Sequence, residues 1–153
     1  MIAKRMSDAN SDATRDEQVA AVVRIAQVAA LAAIAALVVN ALIRIIAVGM
    51  FDASGDDEPM MWGAIVAATL VATAVAALVY KLLGRFARRP ITIFRIVAAV
   101  VLVLSLVGPL TTPDVDGATR VAAVAMHLTG AGIVVGLLTT LARVSRDVPD
   151  IRE

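Results

Sequence analysis

Four stretches of the chain carry no charged side chain: 25–43, 59–80, 96–113 and 121–142. Charge bounds each of them, with Arg24 and Arg44 around the first, Glu58 and Lys81 around the second, Arg95 and Asp114 around the third, and Arg120 and Arg143 around the fourth. Inside the runs Ala, Val, Leu and Ile follow one another without the period-2 alternation that a half-wet strand would show. A helix rises about 1.5 Å per residue, so roughly 20 apolar residues cross a hydrocarbon layer about 30 Å thick. All four runs are close to that length. Lipid admits only helices and closed barrels, because each backbone N–H and C=O must find its partner within the protein, and the missing alternation removes the barrel. The predicted fold is all-α: a four-transmembrane-helix up-down bundle with helices at about 19–50, 59–83, 91–110 and 118–142.

Composition strengthens this reading. Of 153 residues 60% are hydrophobic and 3% aromatic, a content that a soluble domain of this size does not need. There is no cysteine, which removes disulfides, thiolate metal sites and cysteine nucleophiles. The net charge of +1 is uninformative, but the placement of the charges is not. Lys81, Arg85, Arg88, Arg89 and Arg95 lie between the second and third runs with no acid among them, whereas Asp52, Asp56, Asp57 and Glu58 lie between the first and second. The positive-inside rule therefore puts the arginine-rich loop and both termini in the cytoplasm of a multi-pass cell-membrane (plasma-membrane) protein. The expected organisation is a disordered cytoplasmic tail over 1–17, a four-helix domain over 18–143, and a cytoplasmic C-terminal tail over 144–153. The polar and acidic N-terminal residues do not form a cleavable signal, and Thr14 with Glu17 three residues on fits a capping box opening the first helix. Pro90 suits the first turn of the third helix, and Pro109 and Pro113 mark its far end.

Lipid tails are as apolar as leucine, so contact between these helices must come from small residues and a few polar groups. At 100° per residue, Ala26, Ala29, Ala33 and Ala36 share a side of the first helix that Asn40 and Arg44 continue. Ala64, Ala68, Ala72 and Ala76 recur at intervals of four in the second helix and read as its packing face, while Ala98, Leu102, Ser105 and Pro109 share a face of the third. The fourth has two sides, His127 with Ala131, Val134 and Leu138 on one, and Thr129, Gly132, Gly136 and Thr140 on the other. Gly132 and Gly136 are expected to pack helices, within one protomer or between protomers.

The chain's single histidine, His127, lies in "VAMHLTGAG", which carries no other titratable group. Asn40 is one turn inside Arg44, His127 seven residues inside Arg120 and Ser105 nine residues inside Asp114, which sets all three about 6 to 14 Å below the outer surface. Asn40, Arg44, Ser105 and His127 thus form a candidate outer-leaflet polar cluster, with the imidazole neutral and bonded to Asn40, Ser105 or a backbone carbonyl. Two plainer roles stand beside it: His127 as a structural link between helices, and Arg44 reaching the headgroups to pair with Asp52 or the acidic loop. Asn40, facing protein, is expected to tolerate leucine less well than Val38, facing lipid.

A lone histidine without an intramembrane carboxylate makes a poor metal site, and Ser105 with His127 lacks the acid and the nucleophile elbow of a hydrolase. No catalytic residue, metal or cofactor is expected. "GRFARRP" is accounted for by topology and anionic headgroups, so no nucleic-acid partner is expected. The late Asn40, "RRPITIFR" at the entry to the third helix, "LSLVGPL" at its exit and "MHLTGAG" in the fourth resemble a family of small uncharacterised four-helix integral membrane proteins of actinobacteria and haloarchaea, over about 19–143. The resemblance implies an architecture and no activity. The expected function is that of a non-enzymatic integral membrane protein whose polar cluster binds a small ligand, a lipid or a partner membrane protein. The alternative is an oligomeric small transporter or channel subunit. Its expected partners are the lipid bilayer and, through the fourth helix, a homo-oligomer or larger membrane complex.

Overall fold

The structure, a computed structural model, describes residues 2–57 and 60–142, with side chains described at 10, 12–57 and 60–142. The expected C-terminal tail over 144–153, Arg143, Glu58 and Pro59 lie outside these. Five helices follow one another: α1 (Ile2–Met50), α2 (Trp62–Phe86), α3 (Pro90–Ser105), α4 (Val107–Thr111) and α5 (Gly117–Leu141). Together α3 and α4 make one span, so four helical segments are long and apolar enough to cross a membrane. The bundle has a basic end, where α2 turns into α3 past Lys81, Arg85, Arg88 and Arg89. Its acidic end carries the connections after α1 and before α5, with Asp52, Asp56, Asp57, Asp114 and Asp116.

The helix α1 is longer than the sequence pattern suggests. It begins at Ile2, so the stretch expected to be a disordered tail is helical. The first glycine of the chain is Gly49 and the first proline is Pro59, so nothing breaks the helix once the apolar span has nucleated it. Thr14 does not open it as a capping box; its Oγ1 donates instead to the carbonyl of Asn10, one turn back, at 3.0 Å. At the other end the N–H of Ala53 reaches the carbonyl of Ala47 at 3.1 Å, with Asp52 left-handed at φ 54°, a helix stop that a short polar residue accepts in place of glycine.

Proline places the remaining boundaries. Pro90 occupies the first turn of α3, where its missing N–H is not needed. Pro109 breaks the third span, since it cannot donate to the carbonyl of Ser105 and its ring crowds that carbonyl. The helix accordingly ends at Ser105, and Leu106 turns its N–H to the carbonyls of Leu102 and Leu104 before α4 resumes.

The most extensive contact joins α1 to α5. Val28, Ala32, Ala33, Ala36, Asn40 and Ala47 of α1 are buried, and so are Ala122, Ala123, Met126, Val134 and Leu138 of α5. Most of these residues are small, which lets the two backbones approach without a hydrophobic incentive. Ala26 is exposed, so the contact begins one turn later than the expected stripe, while Ala33, Ala36 and Asn40 lie where that stripe put them. Val38 is 55% exposed and Asn40 is 6% exposed, in agreement with the faces read from periodicity.

Two packed clusters close the bundle at its ends. At the acidic end Ala47, Ala53, Met60, Ile65, Ala122, Ala123 and Met126 meet. At the basic end Val28, Ala32, Phe94, Val134 and Leu138 meet, flanked by Tyr80 and Leu83. There Phe94, almost wholly buried, sets its ring edge-on to Tyr80 at 5.2 Å and 83°, anchoring α3 to α2.

Hydrogen bonds tie the acidic end together. Asp116 caps α5 by accepting from the Thr119 N–H at 2.9 Å and from its hydroxyl at 2.5 Å. The hydroxyl and backbone N–H of Thr119, ahead of the smaller contributions, hold the Asp116 carboxyl at about 2, so the cap is charged at any ordinary pH. The N–H of Ser54 donates to the Thr119 hydroxyl oxygen at 3.0 Å and to Asp116 Oδ2 at 3.3 Å, fastening the first connection to the start of α5. Arg120 donates to the carbonyls of Leu110 and Thr112 at 2.9 and 3.0 Å, satisfying the exposed end of α4.

Because Ala32 is fully buried in the α1–α5 seam, Ala32→Leu is expected to destabilise the bundle by about 1–3 kcal/mol through overpacking. The exposed Ala26 tolerates the same change within about 0.5 kcal/mol. Chemical or thermal unfolding of the two variants in one detergent separates them; equal midpoints would deny the seam its role.

Candidate functional site: an intramembrane cavity

Between the two clusters the bundle is open. A cavity of about 470 Å³ lies there, with walls contributed by α1, α2, α3 and α5. Ile65, Ala123 and Met126 close it toward the acidic end, and Val79, Phe94 and Val134 toward the basic end. Its lining is almost entirely aliphatic, and the polar groups on it are Asn40, Thr69, Thr73, Ser105 and His127. Size and lining both fall in the range of small-molecule sites, about 300–1,000 Å³ with few polar groups.

Three of the four residues of the expected cluster line this cavity: Asn40, Ser105 and His127. The fourth does not. Arg44 turns toward the acidic end, where its Nε donates to the carbonyl of Met60 at 2.6 Å and its Nη2 to the carbonyl of Gly55 at 3.3 Å. Its guanidinium also lies over the Trp62 ring at 4.5 Å. Of the two expected partners, Asp52 or the acidic loop, the loop is the one reached, through the backbone carbonyl of Gly55. The planar guanidinium fork reaches that carbonyl and the carbonyl of Met60 at once.

Each polar side chain on the wall has one bond, and its remaining capacity is unused. Asn40 Nδ2 donates to Thr69 Oγ1 at 3.2 Å, while Asn40 Oδ1, fully enclosed, has no partner among the described residues. His127 Nδ1 lies 2.8 Å from the carbonyl of Ala123. A carbonyl only accepts, so Nδ1 carries the proton and Nε2 presents a lone pair. The expected link from His127 to Asn40 or Ser105 is absent; the backbone-carbonyl option is the one realised. Ser105 Oγ spends its hydrogen on the carbonyl of Leu102 at 2.8 Å. A Cβ on Gly130 would lie 3.9 Å from Asn40 Nδ2, which fixes the level of Asn40 on α5. His127 is one turn from that level, about 4.5 Å along the axis.

The second helix differs from its expected register. Ile65 and Thr73 are buried and Thr69 half-buried, whereas Ala68 and Ala72 are exposed and Ala64 half-buried. The face that meets α1 is therefore rotated by one residue, and Ala64, Ala68 and Ala72 form cavity wall instead of a helix contact. Thr69 takes that place because its hydroxyl meets Asn40, and Thr73 is neutralised by donating to the carbonyl of Thr69 at 2.8 Å. Nothing in the spacing singles out Thr69; the signal was a threonine within the alanine run, at a depth matching Asn40.

Gly132 and Gly136 lie on the outer surface of α5, with open space where a Cβ would stand. They pack no helix within the protomer. On the same helix Ala131 is half-buried and Val134 and Leu138 buried, so the two-sided reading of this span is correct while its contact within one protomer is not. Among the described residues no three His, Cys, Asp or Glu side chains gather where a metal could bind.

These features define a multi-pass α-helical membrane protein with a largely aliphatic cavity inside its spans. The chain belongs to a family of unknown function (DUF6069), whose match covers residues 17–144, all four spans included. No curated protein and no solved structure matches it.

The enclosed carbonyl oxygen of Asn40 reverses the expectation for this position. A buried acceptor without a partner costs about 1–3 kcal/mol, which a leucine at the edge of a cavity does not incur. Asn40→Leu is thus expected to melt at or above the wild-type temperature in detergent without added ligand, close to Val38→Leu. A clear drop in midpoint would show that the bond to Thr69 outweighs the orphaned oxygen.

Proposed function

We propose that the protein is a plasma-membrane protein with both termini in the cytoplasm that holds an apolar or amphiphilic small molecule within its spans and performs no chemistry on it. The observation that carries this reading is the cavity itself: packed clusters close the bundle toward each end yet leave the middle open, and Asn40 on its wall has a buried carbonyl oxygen without a partner among the described residues. Buried polar groups are almost always satisfied, so an exception on a cavity wall is accounted for by a molecule that completes it. Support for the orientation comes from the charges, with Lys81, Arg85, Arg88 and Arg89 at one end and the aspartates at the other.

A second reading draws on the outward glycines. Four thin spans enclose no wide pore, so a transporter or channel of this chain requires several copies, and the Gly132 and Gly136 surface of α5 is open to one.

Native mass spectrometry from mild detergent tests both readings at once. Wild-type protein is expected to retain a bound non-protein mass, and Ala72→Phe, which fills the cavity from its wall, is expected to lose most of it. Equal occupancy in the two would remove the cavity from the function. Monomers alone would set aside the oligomeric transporter.

The absence of native cysteine makes the topology directly testable. Ser54→Cys should react with a membrane-impermeant maleimide on intact cells, and Arg88→Cys only after permeabilisation. The opposite pattern would invert the bundle.

A further inference from the structure

The cavity wall has a chemical bias beyond its size. Asn40 Oδ1 is an enclosed acceptor without a partner. His127 has committed its proton at Nδ1 to the carbonyl of Ala123, so Nε2 is an acceptor too. Ser105 has committed its hydroxyl hydrogen to the carbonyl of Leu102, which leaves only oxygen lone pairs. Asn40 Nδ2 gives one of its two hydrogens to Thr69. Each of these three positions keeps acceptor capacity, and the uncommitted donors beside them, the second N–H of Asn40 and the hydroxyl of Thr69, are uncharged. Among the described residues no lysine, arginine or carboxylate lines the cavity, and Arg44, one turn past Asn40 on α1, is held by Gly55 and Met60.

A wall of this kind selects among amphiphiles. An anionic headgroup would meet no cation there, in a place where a buried unpaired charge is strongly unfavourable. A fully apolar hydrocarbon would leave the Asn40 oxygen unmatched. A neutral hydroxyl matches both requirements, because its hydrogen goes to Oδ1 or Nε2 while an aliphatic chain fills the surface formed by Ala68, Ala72, Val97, Val101 and Val135.

Resting on the ligand-binding reading above, we propose that the occupant is an uncharged, hydroxyl-bearing, single-chain lipid, recognised through hydrogen-bond donation to Asn40 and His127. The experiment compares a long-chain alcohol with its methyl ether, which keeps the chain and an oxygen but has no donor. Each is titrated into the full-length protein in detergent, and thermal stabilisation reads the affinity. The alcohol is expected to bind about tenfold more tightly than the ether. In Asn40→Leu, which is expected to fold, that preference shrinks or disappears; His127→Phe serves as an independent second variant.

Equal stabilisation of wild type by both probes, abolished in Ala72→Phe, would overturn donor recognition while leaving a ligand-binding cavity. Stabilisation by neither probe, or stabilisation unchanged in Ala72→Phe, would overturn both. A long-chain carboxylate at alkaline pH that stabilises as well as the alcohol would also overturn the proposal, since it brings charge and no donor.

Discussion

In a bilayer, burying a leucine against another leucine gains little over leaving it in lipid, so helices meet where their backbones can come close. The structure follows from that constraint. The alanines of α1 and α5 create the one long seam, and everything else is arranged around it. Neither α2 nor α3 has a comparable alanine face against the pair. The helix α2 meets α1 along Ile65, Thr69 and Thr73, and α3 is fastened at the basic end by Phe94 against Tyr80. The middle of the bundle stays open where the alanine face of α2, with Ala64, Ala68 and Ala72, lines the cavity instead of meeting another helix. In water such a gap would collapse around hydrophobic side chains; in lipid its walls lose only dispersion contacts, and a chain-like molecule restores them.

The length and number of the spans were legible because bilayer thickness and charge placement fix them independently of tertiary detail. Periodicity also placed Asn40 inward and Val38 outward, and it aligned Ala98, Leu102, Ser105 and Pro109, each of them partly covered on a span whose other residues past Phe94 are mostly exposed. Other features had no sequence signal of their own. Arg44 was grouped with Asn40 by helix geometry, yet its partners are loop carbonyls of Gly55 and Met60 that exist only once the connection folds back. The α2 register slipped because alanine spacing looks alike on neighbouring faces, and one hydroxyl, that of Thr69, decided between them. The long start of α1 was hidden by polarity, which describes solvent exposure and not helicity. Pro109 was in view as an end marker, but its effect appears one turn earlier, at the carbonyl it cannot serve.

The polar residues fall into two groups that the sequence does not distinguish. At the acidic end Arg44 donates to two carbonyls, Arg120 to two more, and Asp116, Thr119 and Ser54 bond with one another. These groups are matched locally and fix the connections. In the cavity Asn40, His127 and Ser105 are each matched once and left with acceptor capacity. The first group ties the connections together at the acidic end, and the second leaves unmatched polar capacity in the middle.

That division also identifies the wall that adjusts most easily. Phe94 fastens α3 at the basic end, but Pro109 interrupts its span at Leu106, leaving the stretch between them as the least covered part of the bundle. The hydrogen bond from α3 to another helix, Arg95 Nη2 to Thr139 Oγ1 at 3.5 Å, lies at the basic end beside Phe94, and Ser105 is bonded within its own helix, so Val101 and Leu102 between them hold no such bond. By contrast, moving α1 or α5 would strain the alanine seam and the Asp116–Thr119–Ser54 bonds together. Under the proposed ligand-binding function an occupant of varying width would be accommodated through α3, while the polar groups on α1 and α5 stay fixed against the seam. Recognition and adaptability would then be separated onto different helices.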